Sequence, residues 1–200
     1  FTAITDPVGA KLDSGNITGT SDVLPVEGQL KLIRALQPDA KTIGIVYTTS
    51  ESNSVYSVGV YQEKAAEYGF TIEAVGVTAQ SEVTQAVDNL IAKGVDCFSN
   101  LTDNNVVGVL GSILEKTNEA KIPVYGSEIE QMKKGCAAGA GLDYVQLGIQ
   151  TGKMAAKILT GEANISEMPI EFTEATPKYN PTMCETLGIE PLDGYTAIED

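Results

Sequence analysis

The sequence predicts an α/β protein: one complete lobe built on a parallel sheet, flanked by pieces of a second lobe. Three observations carry that expectation. From about residue 26 to residue 135, short apolar, β-rich runs alternate with longer segments of helical period. On either side of this block the alternation stops, so the flanking segments belong to something else. The composition, 42% hydrophobic and 20% charged over 200 residues, is that of a globular chain and excludes collagen, coiled coil and wholesale disorder.

Taken in order, residues 1–5 read as a lone strand, and the Gly- and Thr-rich stretch 15–21 as a strand crossing between lobes. A first helix carries Leu30, Ile33 and Leu36 and stops before Pro38. Residues 42–47, 70–75, 95–98 and 122–125 are short apolar runs bounded by Gly, Pro, Asp or Asn, and read as four parallel strands. Between them lie helices carrying Val55, Val58, Tyr61 and Ala65 before Gly69, then Val83, Ala86, Val87, Leu90 and Ile91, then Val106, Leu110, Ile113 and Leu114. The last two sets follow the i, i+3, i+4, i+7 spacing of a helix with one apolar face. Residues 137–142 form a Gly/Ala-rich strand or crossover with no evident partner in the central sheet. An amphipathic helix over 144–160 follows, with Leu147, Gly148, Thr151, Met154, Ala155, Ile158 and Leu159 on one side and Gly161 as its stop. A short run at 169–172 and a last helix at 181–187 complete the chain.

The block at 26–135 is a flavodoxin-like lobe. The expected division is a remnant of an N-terminal lobe with the first crossing at 1–22 and a C-terminal lobe at 23–136. A return to the first lobe follows at 137–165, then a crossing back with a C-terminal segment at 166–200.

Charge and composition exclude several kinds of chemistry. Thirteen basic against 27 acidic residues give a formal charge of −14, with no cationic cluster to hold nucleic acid or an anionic membrane. With no histidine in the chain, histidine-dependent triads, imidazole metal ligation and histidine acid–base catalysis are excluded. Cys97, Cys136 and Cys184 are widely spaced and odd in number, which fits buried or free thiols. No Gly-rich phosphate loop opens a helix after a strand, and no cofactor or metal is expected.

In a flavodoxin-like sheet a ligand sits beyond the carboxyl ends of the strands, where strand order reverses. The loops there are 48–53 and 100–105, dense in short polar side chains, with 126–128 added at the same edge. Ser50, Asn53, Ser54, Asp103, Asn104, Ser127 and Glu128 are the candidate ligand contacts, with Asp103 or Glu128 as partner of a ligand amine. Thr5 and Asp6 are candidates from the opposite lobe; Asp143 reads as a cap of the helix that follows it and joins the candidate ligand contacts only through the family resemblance described below. Each of these types is also a common helix N-cap, and residues 127–130 have capping-box spacing. On the ligand reading, Asp103→Ala weakens binding and leaves the fold intact. Tyr56 and Tyr61 read as packing residues.

The ordered series Thr5-Asp-Pro-Val-Gly-Ala-Lys-Leu12, Gly15-Asn-Ile-Thr-Gly-Thr-Ser-Asp22, Ile45-Val-Tyr-Thr-Thr-Ser-Glu-Ser-Asn-Ser54, Ile122-Pro-Val-Tyr-Gly-Ser-Glu128 and Gly141-Leu-Asp-Tyr144 resembles the ABC-transporter substrate-binding protein family that includes tryptophan-binding lipoproteins. The resemblance implies a type I periplasmic-binding-protein fold, two α/β lobes joined by crossing strands and closing on a solute. It also implies an extracytoplasmic receptor that delivers an aromatic or branched amino acid to ABC permease subunits, and no enzymatic activity. Family members carry a further N-terminal segment with the signal, the lipid-anchor cysteine and most of the first lobe. This chain reads as lacking it, so membrane attachment is expected only through an upstream anchor and the 144–160 helix is expected to expose apolar surface. A ligand-sensing domain of a regulator with the same fold is the alternative. A carboxylate-dependent hydrolase or lyase ranks last, because two carboxylates alone supply little of what such a site needs.

Overall fold

The computed structural model describes residues 1–172 and 175–199. Residues 173, 174 and 200, within the expected C-terminal segment 166–200, lie outside the described residues. The chain divides into two compact units. The smaller comprises Phe1–Leu24 and Leu142–Ala175, the larger Pro25–Gly141 and the segment from Thr176 onward.

In chain order, strand β1 is Thr20–Ser21, followed by α1 (Val26–Leu36), β2 (Thr42–Thr48) and α2 (Ser52–Lys64), which a single 3-10 turn extends to Gly69. Next come β3 (Thr71–Val77), α3 (Val83–Lys93), β4 (Cys97–Asn100), α4 (Asn104–Gly108) and α5 (Leu110–Glu119). Then follow β5 (Val124–Gly126), α6 (Ile129–Lys133), β6 (Ala138–Gly141) and α7 (Tyr144–Leu159). The chain ends with β7 (Glu171–Phe172), β8 (Thr176–Tyr179), α8 (Pro181–Leu187) and β9 (Thr196–Ala197).

The larger unit is a seven-stranded sheet in the order β3-β2-β4-β5-β6-β8-β9. Its first five strands are parallel and, renumbered within the unit, run 2-1-3-4-5, the flavodoxin order. Strand β8 joins antiparallel to β6, and β9 parallel to β8. The alternation in β2 explains why both faces need helices. Val46 packs with Val83, Val87, Leu90, Leu110 and Ile113 of α3 and α5, whereas Ile43 and Ile45 point to the other face and are equally buried. Helices α1 and α2 pack on that other side. At the amino end of the sheet Arg34 is a clamp: its guanidinium donates to the carbonyls of Pro38, Ala40, Tyr68 and Gly69 and lies 3.9 Å from the Phe70 ring centroid.

Two expectations are corrected here. The Gly/Ala strand at 137–142, expected to leave the central sheet with the chain's return to the first lobe, is instead its fifth strand, β6, paired with β5 at Tyr125 and Ala138. Small residues are what the position requires. A Cβ on Gly139 would meet the carbonyl oxygen of Gly126 inside van der Waals contact, and Gly28 of α1 lies against Ala140. The helix expected through Val106–Leu114 breaks at Val109, whose φ of −120° separates α4 from α5.

The smaller unit holds β1 and β7 as a parallel pair, Thr20 opposite Glu171 and Ser21 opposite Phe172, with α7 against β1. Residues 1–5 are not a strand. Ala3 has φ 52°, which interrupts any ladder, yet Phe1 and Ile4 still bond to the backbone of Thr18 and Thr20. On α7, Leu147 and Met154 are buried while Val145, Ile149 and Leu159 are exposed. Leu159, expected on the covered side, is 86% exposed.

Candidate functional site

The switch point of the larger unit's sheet lies between β2 and β4, and the residues at their carboxyl ends are tied together from beneath. Asp103 is the knot. Its carboxylate has no exposed surface and accepts from Thr48 N and Ser54 Oγ (each 2.7 Å), Thr48 Oγ1 (2.8 Å) and Val106 N (3.1 Å). Three segments, the end of β2, the first turn of α2 and the first turn of α4, therefore share one buried anion. Protein donors surround the whole carboxylate, so the residue fixes the loops and also caps α4.

A second buried hub joins β4, β5 and α6. Gln131 Oε1 accepts from Asn100 Nδ2 and Ser127 N, both at 3.1 Å, and its Nε2 donates to the Leu101 carbonyl at 3.0 Å. The Ser127 hydroxyl donates to the Asn100 carbonyl at 2.7 Å, so it does not cap α6 as its capping-box spacing suggested. Glu128 takes that place, accepting from Glu130 N at 2.9 Å. Gln29 of α1 completes the support, donating to Gly126 O and accepting from Ala140 N. These amides satisfy backbone groups where parallel strands splay apart and ladder bonds end.

Above these hubs lies a polar rim. Ser50 is exposed, Asn53 is half-buried and donates to the Thr102 carbonyl at 3.0 Å, and Asn104 donates its backbone N–H and its amide to the Glu51 carboxylate. Glu128 is half-buried, and burial raises its carboxyl pKa above the ordinary value. All seven residues expected at this edge do lie on its loops or in the first turns of the helices that follow them, but they divide by role. Ser50, Asn53, Asn104 and Glu128 face outward, whereas Ser54, Asp103 and Ser127 hold the loops from inside.

The chain matches the family model of ABC transporter substrate binding proteins over residues 1–193. It belongs to that family. Among curated proteins, a tyrosine-binding protein of Clostridioides difficile (strain R20291) is 35% identical over 182 residues, covering 88% of this chain and 52% of the relative. The chain thus spans about half the length of that relative. Among solved structures, an ABC domain in complex with L-Trp from Streptococcus pneumoniae superposes with a TM-score of 0.86 at 31% identity, covering 98% of this chain and 70% of that one. The ligand-free, open structure of a substrate binding protein with adhesive properties from Clostridium difficile superposes with a TM-score of 0.81 at 35% identity, covering 99% and 70%. The fold is the type I periplasmic-binding-protein fold of these neighbours.

The three candidates of the smaller unit are also engaged locally. Asp6 Oδ1 accepts from Gly9 N at 2.9 Å and closes a turn, and Asp143 caps α7 through Val145 N and Gln146 N. The Thr5 hydroxyl donates to Asp22 Oδ1 at 2.8 Å. Sequence reading missed Asp22, Thr48, Glu51 and Gln131. Their signal was present in part, since Thr48 and Glu51 fall within loops already singled out as polar. Gln131 sits mid-helix, where nothing separates it from a surface residue. Tyr61 is fully buried with its hydroxyl 2.8 Å from Ser99 Oγ, and Tyr56 is partly exposed on α2. No helix among the described residues is long and apolar enough to cross a membrane.

Proposed function

We propose that this chain is part of an extracytoplasmic solute receptor of an ABC importer, one that takes up an aromatic amino acid and hands it to permease subunits in the membrane. The observation that carries this reading is the switch-point edge of the larger unit, where two buried polar hubs preorganise an outward polar rim. The relatives support the ligand class, since one is a tyrosine-binding protein and another is in complex with L-Trp. On this reading Ser50, Asn53, Asn104 and Glu128 meet the ligand, and Ser54, Asp103 and Ser127 position the loops. Thr5, Asp6 and Asp143 belong to the ligand-binding surface of the smaller unit. On this reading the receptor is held at the membrane by a lipid anchor.

A thermal-shift screen of the full-length protein against L-amino acids, with sugars and nucleotides as controls, tests the reading. A ligand selective for the folded state adds about 2.7 kcal/mol at a hundredfold excess over Kd, so tyrosine or tryptophan raises the midpoint well above the controls. A shift with a sugar and none with any amino acid would overturn the reading. The chain contains no Trp, so bound tryptophan is visible by its own fluorescence.

A further inference from the structure

The buried carboxylates of this chain differ in what already surrounds them. Asp103 is enclosed by four protein donors. Asp22, directly after β1, is only 8% exposed, and the two side chains that donate to it are neutral hydroxyls. Thr5 Oγ1 donates to Oδ1 at 2.8 Å and Tyr144 Oη to Oδ2 at 2.9 Å. Among the described residues the lysines that form ion pairs do so with Glu63, Glu67, Glu73, Asp88 and Glu130, none of them with Asp22. The partial positive charge at the start of α7 is already met by the capping carboxylate of Asp143.

A carboxylate offers about four acceptor directions, so two hydroxyls leave half of that capacity unfilled. Among the described residues no basic side chain forms an ion pair with it, and a buried carboxylate is stabilised by such a partner. Asparagine in the same place would need only an oxygen to accept one hydroxyl, and carries no charge. What the aspartate adds to the local network is therefore attraction for a cation. Three separate segments converge to hold it: the N-terminal stretch through Thr5, the exit of β1, and the first residue of α7 through Tyr144. Tyr144 is itself partly exposed, at 39%, so the assembly reaches the surface of its unit.

We propose that Asp22, oriented by Thr5 and Tyr144, recognises the α-ammonium group of the amino acid ligand and so sets the preference for amino acids over acids that lack the amine. This rests on the amino acid reading above and names the group that reading left open. It moves the role away from Asp103, whose lone pairs are taken. It moves it also from Glu128, whose carboxylate already caps α6 through Glu130 N.

The test is calorimetric titration of the full-length protein with L-tyrosine and L-tryptophan and with the corresponding arylpropanoates, which lack the amine. The wild type prefers each amino acid over its arylpropanoate by at least about a hundredfold, and Asp22→Asn reduces that ratio to within about threefold of one. The thermal midpoint of the unliganded variant serves as the folding control. Tyr144→Phe keeps the charge and retains most of the preference. An Asp22→Asn protein that keeps the wild-type ratio, or that weakens both ligand types equally, overturns the assignment and makes Asp22 structural. A wild type that binds no amino acid removes the amino acid reading and this assignment together, an outcome distinct from a binding wild type with an unaffected variant.

Discussion

Asp103 shows how one residue type supports two readings that only burial separates. Placed after β4 and before α4, it was expected either to cap the helix or, as one of two carboxylates, to meet a ligand amine, with an alanine variant that folds normally on the latter reading. The four donors around it lead to a different expectation. Removing the carboxylate strands Thr48 N, Ser54 Oγ and Val106 N in a site closed to water, at about 1–3 kcal/mol for each orphaned group. Asp103→Ala therefore lowers stability by about 3 kcal/mol or more, read by urea unfolding, and an unchanged midpoint would return the residue to the ligand. The cysteines are read the same way. Cys97, Cys136 and Cys184 are all free and buried, and burial raises all three thiols, Cys184 to about 11. A proton that the folded protein retains and the unfolded chain releases favours unfolding as pH rises. Stability is thus flat below the ordinary thiol range and falls as pH climbs through about 8.5, continuing toward the raised native values. Buried Tyr61 and Tyr125, also raised, steepen the fall above about 10. Unfolding curves from pH 7 upward measure this, and native thiols inert to a thiol-specific chromophore at neutral pH are the accompanying sign.

At the scale of elements, the legible parts were those with strong periodicity. Helices α1, α2, α3 and α7 and strands β2 to β5 were all foreseen, because each helix pairs an apolar face with a clear stop such as Gly94 or Gly161 in the left-handed conformation and each strand is a short apolar run between breakers, whereas the pattern at α8 was weaker. Strand β6 was recognised as a strand but misplaced. Its Ala and Gly residues carry little β-propensity, and it joins the sheet because close approach to α1 and to the Gly126 carbonyl requires small side chains. The break at Val109 was hidden because Val106 and Leu110 are both buried and keep a helical spacing across it. Backbone geometry at Ala3 likewise left no mark in the apolar pattern of residues 1–5. Two glycines test this account in opposite directions. Gly139→Ala drives a methyl into the carbonyl that Gln29 also holds, and costs about 2 kcal/mol or more. Gly59→Ala in mid-α2, where nothing lies within 4 Å of the added carbon, gains about 0.5–1 kcal/mol. Denaturant midpoints that move the same way for both would refute the packing argument.

At the scale of the whole molecule, seven of the ten candidate residues were placed by topology rather than by chemistry. Knowing where a doubly wound sheet reverses its strand order located the loops, and the sequence of polar residues filled them in. What could not be foreseen was which of those side chains turn inward, because an inward Ser54 and an outward Ser50 are the same residue type four places apart. The result is a sheet with two different ends. The amino end, around Arg34, is stitched for stability, and the carboxyl end, above Asp103 and Gln131, is preorganised with polar groups left at the surface. Hydrogen–deuterium exchange of the full-length protein with and without saturating aromatic amino acid tests that asymmetry most directly. The account predicts slowed exchange in residues 49–54 and 102–105, with residues 38–41 and 66–71 unchanged. Protection confined to the Arg34 end, or none in the larger unit, would contradict it.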